Sequence, residues 1–433
     1  MHPIKEIVEM QKKGKAKGIY SACSANEYVI EAVMENAKNR GGHALIEATA
    51  NQVNQYGGYT GMNAFDFKKY VFSIAERLGF PKEKIILGGD HLGPLTWKEE
   101  QAAGAMEKSK VLIREYVLAG FTKIHIDTSM HLLGDNLQQP LENEVIAERG
   151  AILCGTAEEA FAELRETEAE AMPPVYVVGS EVPIPGGSQE EETLTVTKAE
   201  DFENTVEAFQ KAFLRHGLEK AWEKVVAIVV QPGVEFGDDA IHEYDREAAA
   251  GLSRALKKYP NLVFEGHSTD YQTAKALRQM VEDGIAILKV GPALTFALRE
   301  GLFALNYMEN ELFRFNSDIQ LSNFIDTLEN VMAKSPGNWK KHYHGTESKI
   351  RFAMRYSFSD RSRYYLPVKE VSEAMDRMIG NLKSTLIPLT LISEFMPVQY
   401  VKIRNGLLKN DPVSLLKDRV TQCIEDYLYA TEG

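Results

Sequence analysis

The sequence predicts an α/β protein built as a (β/α)₈ barrel with a helical extension after it. Two observations carry this prediction: short apolar segments recur at regular intervals, and segments with helical spacing lie between them. Strands that alternate with helices run parallel, because each helix returns the chain to the edge where the next strand begins. Eight such units are typical of a closed TIM barrel.

Eight predicted strands supply the barrel, and their near-continuous apolar character fits a parallel sheet that is covered on both faces. They occupy residues 18–24, 44–50, 84–90, 123–129, 175–181, 225–231, 262–268 and 286–292. No dinucleotide-type glycine fingerprint follows the first strand, which disfavours an open nucleotide-binding sheet. We assign residues 1–300 to the barrel and residues 301–433 to the helical extension, which we expect to pack on the barrel.

Two segments outside the strands are distinctive in composition. The Pro/Gly-rich and then acidic segment EVPIPGGSQEEETLTVTKAED after the fifth strand predicts a mobile loop near the active face. The segment RFAMRYSFSDRSRYYLP carries Arg351, Arg355, Arg361 and Arg363 among aromatic side chains. In an acidic chain we expect this segment to pack against the barrel or to reach over the active face from a neighbouring subunit.

The composition indicates a cytoplasmic globular protein. Hydrophobic residues make up 44% of the chain, the formal net charge is −13 and the pI is near 5.4. An acidic balance disfavours a nucleic-acid partner, and no apolar run approaches the length of a membrane span. Cys23, Cys154 and Cys423 are far apart and in no metal-binding spacing, as expected for reduced thiols.

Polar and charged side chains gather where the predicted strands end. In a barrel the loops that follow the strands converge on one face, so we expect these side chains to form a single site. They are Glu47, Gln52, Asp90, His91, His125, Asp127, Ser129, Glu181, Gln231, Glu265, His267, Ser268 and Lys289. Such groups are costly to bury among apolar strands unless they are paired or bind a metal ion.

Several of these residues also have structural interpretations. His125 fits a buried core histidine, Asp90 fits a helix N-cap, and Glu181 fits a loop cap. Lys289 fits either a sugar or anion contact or an ion pair with Glu265. The glycines of GHST and KVGPA, after the seventh and eighth strands, fit either simple turns or a phosphate-binding loop. The convergence of so many groups on one face favours a functional site.

The expected site combines histidines with carboxylates, a ligand set that suits Zn²⁺, with Ni²⁺ or Mn²⁺ as alternatives. A metal held in this way polarises a carbonyl group, and neighbouring carboxylates transfer protons. This combination predicts aldol cleavage, enolisation or epimerisation of sugars.

Long motifs of the chain resemble a known family. LIEATANQVNQYGGYTGM, IILGGDHLGP, AGFTKIHIDTSM, SEVPIPGG, AIVVQPGVEF, HSTDYQT and LKVGPALTFALRE resemble the proteins described as the non-catalytic subunit of class II D-tagatose-1,6-bisphosphate aldolase. The resemblance covers nearly the whole chain and implies a barrel like that of the zinc-dependent class II aldolases. Some similar proteins are D-tagatose (D-fructose) 4-epimerases. Others have been labelled tagatose-6-phosphate kinases, although this sequence contains no P-loop motif.

The resemblance implies roles for individual residues. Class II aldolases carry an Asp-His pair after the third strand, so Asp90 is expected to shuttle a proton and His91 to bind zinc. His267 matches their histidine ligand after the seventh strand. Glu181, with the two glycines at 186–187, resembles their acidic loop after the fifth strand.

Two aldolase features are missing from the sequence. The aldolases have another histidine ligand after the sixth strand, where this chain reads VVQPGVEFG, and KVGPA replaces their phosphate-binding element after the eighth. A zinc site here would need another ligand, and the candidates are Glu181, His125 and Asp127.

We therefore predict a metal-dependent ketohexose 4-epimerase, an isomerase that interconverts D-tagatose and D-fructose or their phosphates through aldolase-like chemistry at C3 and C4. The alternatives are a non-catalytic subunit that stabilises a separate aldolase and a stand-alone tagatose-bisphosphate aldolase. Expected partners are a ketohexose or ketohexose phosphate, a catalytic aldolase subunit and further copies of this chain. The catalytic assignments are Asp90, Glu181 and Asp127, the metal assignments are His91, His267, Glu181 and His125, and the substrate-binding assignments are Glu47, Gln52, Ser129, Gln231, Glu265, Ser268 and Lys289.

Overall fold

Eight parallel strands close into a barrel in the computed structural model, which describes residues 1–181 and 194–432. The described strands are β1 (Ile19–Ala22), β2 (Ala44–Thr49), β3 (Ile85–Leu92), β4 (Lys123–Ile126), β5 (Val175–Val178), β6 (Val225–Val230), β7 (Glu235–Phe236), β8 (Ile241–His242), β9 (Val263–Gly266) and β10 (Ile285–Val290). The order around the barrel is β1-β10-β9-β6-β5-β4-β3-β2, and β2 pairs with β1 to close the circle. The short strands β7 and β8 pair antiparallel outside the barrel.

Helices cover the outside of the barrel, as expected for strands that are apolar on both faces. The described helices are α1 (Pro3–Lys12), α2 (Glu27–Arg40), α3 (Ala64–Leu78), α4 (Ala102–Leu118), α5 (Asn143–Thr167), α6 (Ala199–Arg215), α7 (Glu219–Trp222), α8 (Ala250–Leu256), α9 (Ala274–Glu282), α10 (Pro292–Phe313), α11 (Phe324–Lys334), α12 (Glu347–Tyr356), α13 (Lys369–Lys383), α14 (Leu389–Phe395), α15 (Pro397–Arg404) and α16 (Pro412–Glu432). The sequence sets the ends of several of them. For example, α2 and α3 begin after the N-caps Asn26 and Asn63 and end before left-handed Gly41 and Gly79.

The prediction of a (β/α)₈ barrel is confirmed. Each of the eight predicted strands overlaps an observed barrel strand, and β9 and β10 are the seventh and eighth of them. One difference lies in β3, which continues through Asp90 and His91 to Leu92. Its pairing with β4 shifts register between Gly89 and Leu92, which is a β-bulge. The Asp-His pair therefore belongs to a bulged strand end and not to the loop after it.

The N-terminal end of the barrel is closed by α1. Ile4, Ile7 and Val8 of this helix pack with strand residues such as Ile19 in one buried apolar cluster. The helix begins after His2, whose buried Nδ1 accepts the Ile4 N–H at 3.1 Å. Because apolar side chains fill this end, the polar side chains of the barrel are concentrated towards the opposite, carboxyl end.

The last helix, α16, connects the extension to the barrel. It packs against α10, α9, α2 and β1. Gly18 donates its N–H to the Thr431 carbonyl at 3.0 Å, and the rings of Tyr20 and Tyr427 lie 5.9 Å apart. The predicted division at residue 300 falls inside α10, and one buried hydrophobic cluster contains residues from both sides of it. The division stays a prediction about domain organisation.

The loop predicted after the fifth strand falls largely in residues 182–193, including the two glycines at 186–187, and so lies outside the described residues. In the part of the chain that the structure describes, no helix combines the length and apolar character needed to cross a membrane.

We expect Gly93→Ala to disrupt the end of β3. A β-carbon at Gly93 would lie 1.8 Å from the Asp127 carbonyl oxygen, and only a backbone displacement could relieve that contact. The free energy of unfolding, measured by urea denaturation, should fall by at least about 3 kcal/mol. The control is Gly380→Ala, because Gly380 lies in α13 with open space around its β-carbon position. Alanine there should be neutral or stabilise by about 0.5–1 kcal/mol, and similar losses for both variants would contradict the prediction.

Candidate metal and ligand site

Three histidine rings contact one another at the carboxyl end of the barrel. The ring centroids are 5.1 Å apart for His91 and His125, 4.9 Å for His91 and His267, and 5.1 Å for His125 and His267. All three residues are buried beside Asp90, and each of the four offers a nitrogen or oxygen within 4.8 Å of the others. Imidazole and carboxylate groups gathered in this way are ligand types that Zn²⁺ prefers.

These four residues come from three strands. The bulge in β3 supplies Asp90 and His91, and the His91 backbone is left-handed with φ of 48°. His125 lies on β4, and His267 directly follows β9. Ser268, the next residue, is also left-handed with φ of 52°. Non-glycine residues in this region are strained, and such strain is concentrated at functional sites.

Asp127 fixes the orientation of the His91 ring. Its Oδ2 lies 2.7 Å from His91 Nδ1, while its Oδ1 accepts the Ser129 N–H at 3.1 Å and the Ser129 hydroxyl at 2.7 Å. Burial acts to raise the pKa of the Asp127 carboxyl, but the hydrogen bond and charge of His91 outweigh it and lower the pKa to about 2. An ionised Asp127 holds a proton on Nδ1 and leaves His91 Nε2 for another partner. Ser129, a predicted substrate contact, holds Asp127 in this arrangement.

His125 and His267 have different partners. Nδ1 of His125 donates to Asp90 Oδ1 at 2.8 Å, and it also lies 3.1 Å from the His91 backbone nitrogen. Its Nε2 is buried and has no hydrogen-bond partner among the described residues. Nε2 of His267 lies 2.9 Å from Glu265 Oε1, and burial lowers the pKa of His267 to about 3 although Glu265 opposes this. His267 is therefore neutral near pH 7, the protonation state that binds metal.

Two buried lysines link the carboxylates of the site into a chain of alternating charge. Lys123 Nζ lies 2.6 Å from Glu265 Oε2 and 2.8 Å from Glu47 Oε1. Lys289 pairs with the other oxygen of Glu47, and its Nζ lies 2.9 Å from Asp90 Oδ1. The order of charges is therefore Glu265, Lys123, Glu47, Lys289 and Asp90. We call these five residues the charge chain.

The charge chain favours the ionised forms of Lys123, Lys289 and Asp90 inside the barrel. Burial acts to lower the pKa of Lys123 and Lys289, but their carboxylate neighbours outweigh it and raise both pKa values. Burial acts to raise the pKa of Asp90, but Lys289 and His91 hold it well below its usual range. The Lys123 contacts are ion pairs without well-aligned hydrogen bonds. Each buried charge thus depends on its neighbours for compensation.

Lys123 is the member of this chain that sequence reasoning missed. It is the first residue of β4, and it alternates with His125 and Asp127, so the three side chains project to one face of the strand. This spacing in KIHIDTS is the signal that could have identified it. Without that signal, a lysine at the start of an apolar strand is usually interpreted as an exposed charge that flanks the strand.

A cavity of about 420 Å³ adjoins the histidines. Its barrel lining includes Cys23, Gln52, Asp90, His91, His267, Ser268 and Lys289. The extension adds Lys341, His342, Arg361, Arg363 and Tyr364. The arginine- and tyrosine-rich segment therefore reaches over the active face of its own barrel, where the Tyr364 ring meets Tyr59 edge-on at 4.7 Å.

Two predicted site residues lie apart from this group. Glu181 is exposed and accepts a hydrogen bond from the Thr197 hydroxyl. Gln231 Oε1 accepts the backbone N–H groups of Gly233 at 2.8 Å and Val234 at 3.0 Å, so its side chain shapes the turn after β6. The described structure brings neither residue into the four-residue histidine and aspartate group.

The N-terminus of α10 is occupied by a carboxylate of the same chain. Oδ1 of Asp270 accepts the backbone N–H groups of Gly291 at 3.0 Å and Ala293 at 2.8 Å. A phosphate bound at this helix end would use the same N–H groups. Burial raises the pKa of Asp270 to about 6, against the effect of these hydrogen bonds. The segment KVGPA thus forms a helix cap, which favours its interpretation as a turn.

The histidine group fits a divalent metal ion. It offers three imidazoles and one carboxylate, and the His125 Nε2 atom is buried without a partner in the described part of the chain. His91, His125 and His267 would hold the ion, with Asp90 beside them. A Zn²⁺ ion bound there would act as a Lewis acid towards a carbonyl or hydroxyl oxygen. The chain itself orients the ring of His91 through Asp127 and balances the charge of Asp90.

A (β/α)₈ barrel with buried histidines and carboxylates at the carboxyl ends of its strands defines a TIM-barrel protein with a candidate metal site at its active face. Comparison with protein families identifies the family within this class. The chain belongs to the family of D-tagatose-1,6-bisphosphate aldolase subunit GatZ/KbaZ-like proteins, whose family model matches residues 4–432. The predicted family is confirmed.

Curated relatives and a solved structure match nearly the whole chain. D-tagatose-1,6-bisphosphate aldolase subunit GatZ of Salmonella agona (strain SL483) is 47% identical over 427 residues, which are 98% of each protein. The subunit of the same name from Salmonella heidelberg (strain SL476) is also 47% identical, with the same coverage. The crystal structure of a probable tagatose 6 phosphate kinase from Sinorhizobium meliloti 1021 is 43% identical with a TM-score of 0.87, and the match covers 96% of this chain and 100% of that one.

The prediction of a ketohexose 4-epimerase, and with it of an isomerase, is wrong. The relatives that align over 98% of the chain are named as subunits of an aldolase, and the matching family has the same description. The prediction rested on the charged side chains that persist at the strand ends. In the structure Lys123 and Lys289 pair with three of these carboxylates, so their retention does not require catalysis.

We expect Lys123→Met to destabilise the barrel strongly. The substitution leaves Glu265 and Glu47 buried with one positive neighbour fewer, and removing one partner of a buried ion pair costs about 3–5 kcal/mol. Urea denaturation near pH 7 measures this loss. The double variant Lys123→Met/Glu265→Gln should recover part of it, because one uncompensated charge is removed. A loss for the single variant no larger than that of an exposed pair, about 1 kcal/mol, would contradict the charge chain.

Proposed function

We propose that this chain is a non-catalytic subunit that stabilises a separate catalytic chain of a class II D-tagatose-1,6-bisphosphate aldolase. The observation that carries the proposal is the 47% identity to the Salmonella agona aldolase subunit GatZ over 98% of both proteins. This alignment spans the barrel and the extension together, so it includes the surfaces through which such a subunit would act. We place the chain in the cytoplasm, in a complex that also contains further copies of it.

The protonation state of Asp90 supports a role without acid–base catalysis. Asp90 was the predicted proton shuttle, but Lys289 and His91 hold the pKa of its buried carboxyl well below the usual range. A general base works best when its pKa lies near the working pH. In addition, Asp90 already contacts Lys289 at 2.9 Å and His125 at 2.8 Å. These contacts favour a fixed structural carboxylate.

We also propose that the barrel end keeps a ligand-binding role. Zn²⁺ is the expected ion for His91, His125 and His267, given three imidazole donors. Gln52 and Ser268 line the adjoining cavity with polar side chains that suit the hydroxyl groups of a ketohexose. Glu181 and Gln231 are left out of this proposal because their side chains are engaged elsewhere.

Co-expression with an aldolase tests the subunit role. A class II D-tagatose-1,6-bisphosphate aldolase catalytic chain is produced alone, with this chain, or with GatZ of Salmonella agona as the positive control. We expect this chain to lengthen the half-life of tagatose-bisphosphate cleavage, and the purified chain alone to release no triose phosphate. The proposal fails if GatZ extends the half-life and this chain does not. Triose phosphate release by the chain alone would instead support a stand-alone aldolase.

Metal analysis tests the histidine group separately. His91→Ala and His267→Ala should each lower the zinc content of the purified protein, because each removes one of three imidazole ligands. The control is His131→Ala, since His131 is half-buried outside the histidine group and its Nε2 lies 2.9 Å from the Gln139 carbonyl. Zinc content is measured by mass spectrometry after dialysis against zinc. Wild-type zinc content in both site variants would refute the ligand assignment.

A further inference from the structure

The segment that follows His267 holds two non-glycine residues in a left-handed backbone conformation. Ser268 has a φ of 52° and Tyr271 a φ of 65°. The described part of the chain contains four such residues, and His91 is a third of them. A strained backbone of this kind persists only where the surrounding structure holds it in place. We call residues 268–271 the strained segment.

The barrel itself provides one set of contacts that hold the strained segment. The Thr269 hydroxyl donates to the Lys289 carbonyl at 2.6 Å. Asp270 accepts the backbone N–H groups of Gly291 and Ala293, at the start of α10. These contacts anchor the segment to the end of β10, the strand beside β9 in the barrel.

The helical extension provides a second set of contacts. Tyr427 of α16 is buried and donates its hydroxyl to the Thr269 carbonyl at 2.9 Å. Tyr271 donates its hydroxyl to the Phe358 carbonyl at 2.5 Å, and the centroids of these two rings lie 4.6 Å apart. Both hydrogen bonds cross between the barrel and the extension, so the extension contributes directly to the conformation of the strained segment.

His267 lies at the junction between β9 and this segment. Gly266 is the last residue of β9, so the sheet fixes the backbone on one side of His267 and the strained segment fixes it on the other. Its buried ring lies 4.9 Å from the ring of His91. Metal ligands must be placed to within about 0.2 Å. A relaxation of Ser268 towards ordinary φ values would rotate the peptide beside His267 and displace its ring from the histidine group.

We propose that Tyr271 and Tyr427 are positioning residues for His267, and that they make zinc affinity depend on the docking of the extension. This role rests on the zinc site proposed for His91, His125 and His267, and it is independent of the aldolase-subunit role. Coupling of this kind is reciprocal, so bound zinc stabilises the docked extension by the same factor by which docking strengthens zinc binding.

Tyr365 distinguishes positioning from a purely structural role. It is a buried tyrosine of the extension, and its hydroxyl donates to the Ser335 carbonyl. Both residues of this hydrogen bond belong to the extension, so the bond does not reach the strained segment. Its loss should therefore lower stability in the same way as the loss of the other two tyrosine hydroxyls, without affecting His267.

Three variants that each lack one phenol hydroxyl test the proposal: Tyr427→Phe, Tyr271→Phe and the control Tyr365→Phe. Zinc affinity is measured near pH 7 by competition with a chromogenic chelator, and the melting temperature verifies that each variant folds. Tyr427→Phe and Tyr271→Phe should weaken zinc binding about 3- to 10-fold, because each removes a hydrogen bond that holds the strained segment. Tyr365→Phe should bind zinc as tightly as the wild type.

Co²⁺ provides a spectroscopic measurement of the same effect, since its visible absorption depends on ligand geometry. The spectrum of the Co²⁺-loaded protein should change in Tyr427→Phe and Tyr271→Phe and stay unchanged in Tyr365→Phe. A loss of zinc affinity in Tyr365→Phe as large as in the other two variants would overturn the proposal.

The remaining outcomes separate this role from the proposed functions. Wild-type zinc affinity in Tyr427→Phe or in Tyr271→Phe would overturn the role of that residue and leave the zinc site intact. Failure of the wild-type protein to bind zinc would refute the zinc site and the positioning role together. Selective losses in both variants, with no effect of the chain on aldolase half-life, would uphold the positioning role and refute only the subunit role.

Discussion

The ion pairs that Lys123 forms inside the barrel are the constraint on which the carboxyl end of the fold depends. Lys123 on β4 contacts Glu47 on β2 and Glu265 on β9, so three strands are joined through the barrel interior. Burying an isolated carboxylate costs several kcal/mol, and only a buried partner compensates that cost. Gly88 on β3, the strand between β2 and β4, leaves space for these contacts. A side chain there would clash with Glu47, because its β-carbon would lie 2.5 Å from the Glu47 side chain.

The histidine group follows from the same charges. Lys289 connects Glu47 to Asp90, and Asp90 in turn contacts Nδ1 of His125. The bulge in β3 permits this link. The extra residue in the bulge lets the adjacent side chains of Asp90 and His91 both face the cavity at the carboxyl end of the barrel. A regular strand would point these two adjacent side chains to opposite faces. The position of the three imidazoles is therefore set by a bulge and by compensated charge.

Much of the fold could be predicted from the sequence, because strands buried on both faces leave a strong apolar signal and alternate with amphipathic helices. The same regularity located Asp90, His91, His125 and His267 at one end of the barrel. The ion pairs of the site could not be predicted in this way. Lys123 pairs with Glu47 and Glu265, which lie far from it in the sequence, and the residues around Lys123 do not indicate these partners. Glu181 and Gln231 illustrate the limit for loops. Both lie near strand ends, but Glu181 accepts a hydrogen bond from Thr197 and Gln231 accepts one from Gly233, and these bonds direct their side chains elsewhere.

Charge retention at strand ends was the argument for catalysis, and the charge chain shows why it is insufficient. Buried carboxylates persist when they are compensated, whether or not a substrate is turned over, because losing one partner leaves the other uncompensated. Evidence for ligand binding must therefore come from polar groups that ion pairs and hydrogen bonds within the chain leave unsatisfied. The His125 Nε2 atom is one such group within the described chain, and it belongs to the histidine group that the cavity adjoins. A ligand held between the barrel residues and the extension residues that line the cavity would also stabilise the packing of the extension on the barrel, since it would bind only the folded arrangement in which the two sets face each other.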